Sequence, residues 1–189
     1  MIYLASTSPR RSALLTQIGV PFKVLSPAID ETVGTEEGIF PYVRRMAREK
    51  ALAGQVECRR RALPTAPLLG ADTVVVVDGD ILHKPRDLDE ARCQLQRLSG
   101  RAHLVHTALY LIGRSGHEAL STTVVTFKTL SESEIETYCA TGEPLGKAGA
   151  YAIQGQGALF VSGLVGSYSG VVGLPLYECG QALRAEGIL

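Results

Sequence analysis

The chain has 189 residues, 46% hydrophobic and 20% charged, which suits one domain of ordinary size, or two small lobes, with a real core. Its 19 Lys and Arg balance 19 Asp and Glu, so it lacks the basic surface that counterion release on nucleic acid requires, and any anion must bind at a local cluster. No apolar run approaches the roughly 20 residues of a membrane span, and the opening Met1-Ile2-Tyr3-Leu4-Ala5 is too short and uncharged to act as a signal sequence.

In chain order, Ile2–Ala5 reads as a short buried strand. Ser8-Pro9 opens a helix, with Ser8 at the N-cap, Pro9 at the first helical position and Gly19 closing it. Phe22–Leu25 reads as a second strand. From Glu36 to Ala53 the residues Phe40, Val43, Met46, Ala47 and Ala51 recur at helical spacing, although Pro41 blurs the start. Leu68–Val77 is the strongest strand, and Asp78-Gly79 after it signals a hairpin.

Asp89–Leu98 is a short helix ending at Gly100. Leu104–Ile112 and Thr122–Leu130 read as strands joined by the polar turn around Arg114-Ser115-Gly116. Ser131 with Glu134 forms a capping box, and Gly142 ends that helix. Tyr151–Val161 reads as Gly-interrupted strand or loop, and Pro175 starts a final helix. Strands alternating with helices give an α/β layered fold, and the hairpins make its sheet mixed instead of wholly parallel.

Residues that break local rules mark candidate function. In Ser6-Thr7-Ser8-Pro9-Arg10-Arg11, two arginines occupy the first turn of a helix, where the macrodipole disfavours cations. An anion bound there by N–H groups, hydroxyls and guanidinium forks resolves the conflict; two solvated arginines beside an ordinary cap resolve it equally well. Asp72 is a carboxylate inside an apolar strand, so it needs a cation, a metal or a dense set of hydrogen bonds unless it faces solvent at the strand end. Gly70 beside it permits close backbone approach.

His83-Lys84-Pro85-Arg86-Asp87 follows the hairpin, and Pro85 would aim Lys84 in a fixed direction. The span from Gly142 to Gly157 carries Lys147, Tyr151 and Gln154 among glycines, which suits close approach to a ligand or simply two tight turns. Glu31 follows a strand, where ligands of α/β folds usually sit. Lys50 by itself reads as a solvent-exposed helical lysine.

Several motifs are absent. There is no Gly-x-x-x-x-Gly-Lys-[Ser/Thr], no Gly-x-Gly-x-x-Gly after the first strand, and no Gly-x-Ser-x-Gly elbow. His103 and His106 point to opposite faces of a strand and do not share a metal. Arg59-Arg60-Arg61 has no interleaved aromatics and reads as a solvated connection. Cys58, Cys93, Cys139 and Cys179 are widely spaced, which argues against a zinc knuckle or a thioredoxin-like site and fits a reducing cytosol. Phosphate-binding cations and isolated carboxylates remain, the usual setting for Mg²⁺ or Mn²⁺ and for phosphoryl chemistry on a small molecule.

Across nearly its whole length the chain resembles the Maf family of nucleotide pyrophosphatases, first associated with septum formation. The matching segments include Leu4-Ala5-Ser6-Thr7-Ser8-Pro9-Arg10-Arg11, Asp30-Glu31, Ala47-Arg48-Glu49-Lys50-Ala51, Gly70-Ala71-Asp72-Thr73, Lys84-Pro85-Arg86, Lys147-Ala148-Gly149-Ala150-Tyr151 and Ile153-Gln154-Gly155. The resemblance implies one domain over 1–189, an α/β fold whose mixed central sheet is flanked by helices, two lobes forming a cleft, and a homodimer, while the scattered cysteines lead to an expected cytoplasmic location. It implies hydrolysis of a nucleoside triphosphate to monophosphate and pyrophosphate with a divalent metal, Mg²⁺ or Mn²⁺.

By matching position, Asp72 is implied as the proton acceptor, with Lys50 and Lys84 as catalytic cations. Ser8, Arg10 and Arg11 are implied as phosphate contacts, Glu31 as a metal or site carboxylate, and Asp72 as base, metal ligand or both. Arg10, Thr73 and Gln154 are similar to the branch acting on dTTP and UTP; the branch acting on 7-methyl-GTP carries Trp, Gln and Glu there. Gln154 offers both donor and acceptor to a pyrimidine edge. The alternatives are a 7-methyl-GTP-type pyrophosphatase and a non-catalytic nucleotide-binding regulator of division.

Overall fold

The computed structural model describes residues 1–189. The sheet has seven strands: β1 (Ile2–Ala5), β2 (Phe22–Leu25), β3 (Leu68–Val77), β4 (Asp80–Leu82), β5 (Ala102–Ile112), β6 (Gly116–Phe127) and β7 (Val161–Val165). Their order is β2-β1-β3-β5-β6-β7, with β4 on β3. β1 runs parallel to β2 and β3, whereas the β3–β4 and β6–β7 pairs are antiparallel. The sheet is mixed, as the alternation of elements and the hairpins foretold. No helix is long and apolar enough to cross a membrane.

The chain divides into two compact units. The first comprises Met1–Asp72, Thr107–Ser121 and Gly173–Leu189; the second comprises Thr73–His106 and Thr122–Val172.

In the first unit, every residue of β1 is buried, which is why it reads as an unbroken apolar run. Helix α1 (Pro9–Gln17) follows, with Pro9 at its start and Leu14 and Leu15 turned inward. Helix α2 (Ile39–Arg60) starts later and runs further than Glu36–Ala53. Pro41 is tolerated at its third position because the first turn has no acceptor for that N–H. Phe40, at the spacing of the buried face, is instead 49% exposed. Arg59 and Arg60 form the last turn of α2 and not a connection, where cations suit the helix dipole.

Small residues bring α2 close to the sheet. A Cβ on Gly54 would lie 3.0 Å from Leu68 Cδ1 and 3.1 Å from Ala5 Cβ. A Cβ on Gly70 would collide with the Ala47 carbonyl oxygen and lie 2.7 Å from the Ala51 nitrogen. Helix α6 (Leu176–Ala185) ends at Glu186, whose buried carboxylate accepts the Arg114 and Ser115 N–H groups at 2.6 and 3.1 Å.

In the second unit, Asp78 and Gly79 both take positive φ, +56° and +84°, as a tight two-residue hairpin between β3 and β4 requires. Asp87 caps α3 (Leu88–Leu98), accepting the Glu90 N–H at 2.8 Å. Ser131 and Glu134 form the expected capping box of α4 (Glu132–Ala140). The core joins Val75, Leu95, Val105, Phe127 and Phe160 with other apolar residues. Phe127 meets His103, Tyr151 and Phe160 edge-on at 5.0, 4.8 and 5.9 Å between ring centres. The Gly-rich span resolves into short 3-10 turns over Ala148–Ala150 and Gln156–Phe160 ahead of β7. A short helix, α5 (Tyr168–Val172), closes this unit.

Candidate active site

The site follows from how α2 meets β3. Ala47, Ala51 and Gly54 turn toward the sheet, and Gly70 removes the side chain that would hold the two apart. Lys50, one residue before Ala51, can then run its stem along the interface and reach the strand. Its ammonium donates to Asp72 Oδ1 at 2.6 Å and lies 2.7 Å from Glu31 Oε1. The Lys50 side chain is 12% exposed and that of Asp72 13%. Lys50 is therefore not the solvated lysine its helical setting suggests, and Asp72 is not a solvent-facing strand end. The ion pair offsets the desolvation that a lone carboxylate would suffer there.

Glu31 comes from the loop between β2 and α2 and is half exposed, 47% for its side chain. Asp30 Oδ1 accepts from the Thr32 N–H at 2.9 Å and the Thr32 hydroxyl at 2.6 Å, a local turn. Two α2 side chains then hold the loop. The Tyr42 hydroxyl donates to the Glu31 carbonyl at 2.8 Å. Arg45 donates to the Thr32 carbonyl at 3.0 Å and grips Glu37 through two bonds of 2.6 Å. Burial, with the charges of Asp72 and Glu31 nearby, pushes the Tyr42 phenol up to about 12, so it remains a donor. Tyr42 and Arg45 were missed in the sequence: a buried Tyr at helical spacing reads as core, and Arg45 reads as one more exposed charge.

The two arginines of α1 part company. Arg11 is buried, 9% exposed. Its Nε donates to the Gly173 carbonyl at 2.8 Å and its Nη1 to Ser6 Oγ at 3.0 Å. Burial lowers its pKa, while the carboxylates of Asp72 and Glu31 oppose that shift. Arg10 is half-buried, and burial lowers its pKa also. Ser8 makes no side-chain cap bond to α1; its N–H instead donates to Ser6 Oγ at 3.2 Å. Three cations (Arg10, Arg11 and Lys50) thus stand with two carboxylates (Asp72 and Glu31) in the first unit, so positive charge is in excess.

No group of three or more His, Cys, Asp or Glu side chains is arranged to hold a metal. The pair Glu31 and Asp72 is the relevant donor set, because both carboxylates converge on one ammonium. Hard oxygen donors of this kind fit Mg²⁺, which takes one or two protein carboxylates and completes its shell with water and substrate phosphate.

The remaining residues singled out in the sequence lie in the second unit. Thr73 follows Asp72 in β3 and is half-buried; Lys84 and Gln154 are exposed on loops. His103 and His106 serve structure. His103 Nε2 shares a hydrogen bond with the Tyr151 hydroxyl at 2.9 Å, and His106 Nδ1 with Thr122 Oγ1 at 2.9 Å. All four cysteines are free thiols.

A family model described as "Maf-like protein" matches residues 1–186. The chain is 48% identical to a dTTP/UTP pyrophosphatase of Bordetella avium, over 99% of this chain and 96% of that protein. It is 52% identical to a dTTP/UTP pyrophosphatase of Pseudoalteromonas atlantica, over 97% and 95%. A third dTTP/UTP pyrophosphatase, from Alkalilimnicola ehrlichii, is 50% identical over 96% and 91%.

Proposed function

The chain belongs to the Maf-like protein family, and we propose that it is a pyrophosphatase converting dTTP and UTP to their monophosphates and pyrophosphate. The observation that carries this reading is the Lys50 bridge between Asp72 and Glu31 beside the cation-rich start of α1. The relatives supply the substrate class, since those reported above bear that activity in their names.

Triphosphate charge is met by Arg10, by the Ser8 hydroxyl and by the positive end of the α1 dipole. Arg11 fixes the geometry of Ser6 and Gly173 and adds positive charge beside Arg10. Asp72 accepts a proton from the attacking water as the water oxygen bonds to the α-phosphorus. The bond from that phosphorus to the bridging oxygen breaks, and pyrophosphate leaves. Lys50 offsets the charge that develops, and the family resemblance assigns Lys84 the same role. Glu31, with Asp72, would hold a Mg²⁺ or Mn²⁺ ion, which would supply further charge neutralisation. Thr73 and Gln154, with Arg10, are assigned to substrate choice.

The free thiols and the lack of an apolar helix of spanning length fit a cytoplasmic enzyme acting on small nucleotides. A homodimer and a part in restraining septum formation belong to the same reading and rest on the family resemblance alone. The test is pyrophosphate release from dTTP, UTP, CTP, GTP and 7-methyl-GTP with each metal. Preferred turnover of dTTP and UTP supports the reading. Preferred turnover of 7-methyl-GTP keeps the chemistry and refutes the substrate assignment.

A further inference from the structure

Tyr138 and Glu143 belong to the second unit, and no step of the proposed hydrolysis uses them. Tyr138 is buried on α4, its ring edge-on to Phe160 at 4.9 Å. Its hydroxyl donates to Glu143 Oε1 at 2.8 Å and accepts the Ala152 N–H at 3.1 Å. The Glu143 carboxylate also accepts the N–H groups of Gln156 and Gly157, each at 3.1 Å. Between these anchors the chain turns sharply, and the Gly155 N–H closes on the Ala152 carbonyl at 3.1 Å. Ile153 and Gln154 are the central residues of that turn, and Gln154 is exposed.

One Tyr–Glu pair therefore ties down both flanks of the turn. The glycines are required by the same packing. A Cβ on Gly155 would collide with the Glu143 carboxylate, and one on Gly157 would lie 2.9 Å from both the Ala152 carbonyl oxygen and the Tyr138 hydroxyl. Taking a carboxylate partly out of water to hold an exposed turn costs free energy. Such rigidity has a use where one side chain must be presented at a fixed place.

We propose that Glu143 and Tyr138 are positioning residues for base selection, fixing the 152–155 turn so that the Gln154 carboxamide meets the pyrimidine edge of the substrate in one orientation. This rests on the reading of Gln154 as a base contact in dTTP and UTP hydrolysis. A carboxamide discriminates by setting its donor and acceptor against a matching edge, and a displacement of about 1 Å undoes such a match. On a loosened turn the same side chain accepts several edges.

The test compares kcat/KM for dTTP and for CTP in the wild type, Gln154→Ala, Glu143→Gln, Tyr138→Phe and the double variant Glu143→Gln/Gln154→Ala. The dTTP-to-CTP ratio is expected to fall about tenfold in Gln154→Ala and at least about fivefold in Glu143→Gln and Tyr138→Phe. The double variant is expected to fall no further than Gln154→Ala alone, because the pair acts through Gln154. A merely structural role lowers both substrates in parallel and leaves the ratio unchanged, which overturns the proposal. Tyr138→Phe keeps the packed ring and loses only the hydroxyl, so it decides the matter if Glu143→Gln fails to fold. A ratio unaltered in Gln154→Ala refutes the base-contact reading and the proposal with it. A ratio altered in Gln154→Ala but in neither Glu143→Gln nor Tyr138→Phe refutes the positioning role alone.

Discussion

Lys50 Nζ stands 2.6 Å from Asp72 Oδ1, an ion pair between helix and strand that depends on a glycine two residues away. At Gly70 an added Cβ meets the Ala47 carbonyl and the Ala51 nitrogen, which are helix backbone and cannot swing aside. Gly70→Ala is expected to cost about 1–3 kcal/mol through overpacking, read from urea unfolding. By moving Lys50 away from Asp72 it should also lower kcat. Wild-type stability together with wild-type turnover would show that the close approach is not needed.

The Tyr42 hydroxyl holds the backbone of Glu31. Tyr42→Phe removes that bond while keeping the ring, so stability should change by about 1 kcal/mol. If Glu31 holds a divalent ion, the Mg²⁺ concentration for half-maximal activity should rise several-fold. Mn²⁺ affinity without nucleotide, followed by paramagnetic resonance, should weaken in step. Unchanged metal dependence would remove Glu31 from the metal site.

Arg10 and Arg11 should separate binding from folding. Arg10 is half-buried at the helix start, so Arg10→Ala should raise KM for dTTP with little change in Tm. Arg11 is buried and bonded to Gly173 and Ser6. Arg11→Met takes the Nε donor from the Gly173 carbonyl and leaves Ser6 Oγ with the Ser8 N–H alone, and should lower stability by about 1–3 kcal/mol. Equal thermal stability of the two variants would contradict this division.

Burial pushes His103 down to about 4 from an ordinary value of 6.5. The folded value lies below the unfolded one, so between pH 6.5 and about 4 the unfolded chain binds the extra proton. The contribution is fully present above pH 6.5 and is lost as pH falls through that window, amounting to roughly 2 kcal/mol at pH 5. His103→Gln should flatten the dependence of the urea midpoint between pH 7 and 5. An identical slope in the variant would show that His103 is not the group responsible.

Most elements were legible because local signals agreed with the tertiary outcome. The capping box at Ser131, the hairpin at Asp78-Gly79 and the Pro9 helix start each carry their own backbone chemistry. The exceptions have physical causes. α2 continues past Ala53 because Gly54 packs on Leu68 and Ala5 and so belongs to the buried face. Asp72 was visible as a carboxylate out of place, but its partner was not: a helical lysine looks the same in sequence whether it meets water or an acid 22 positions away. Tyr42, Arg45, Tyr138 and Glu143 act through backbone groups, and no residue pattern marks a side chain that holds a carbonyl or an N–H in a distant loop.

The most direct test of the central assignment is steady-state pyrophosphate release from dTTP by the wild type and by Asp72→Asn, alongside nucleotide binding by calorimetry. The expected result is tight binding in both proteins and a loss of at least about a hundredfold in kcat in the variant. An Asp72→Asn enzyme that turns over dTTP at the wild-type rate would contradict the role of Asp72, and with it the mechanism built on the Lys50–Asp72 pair.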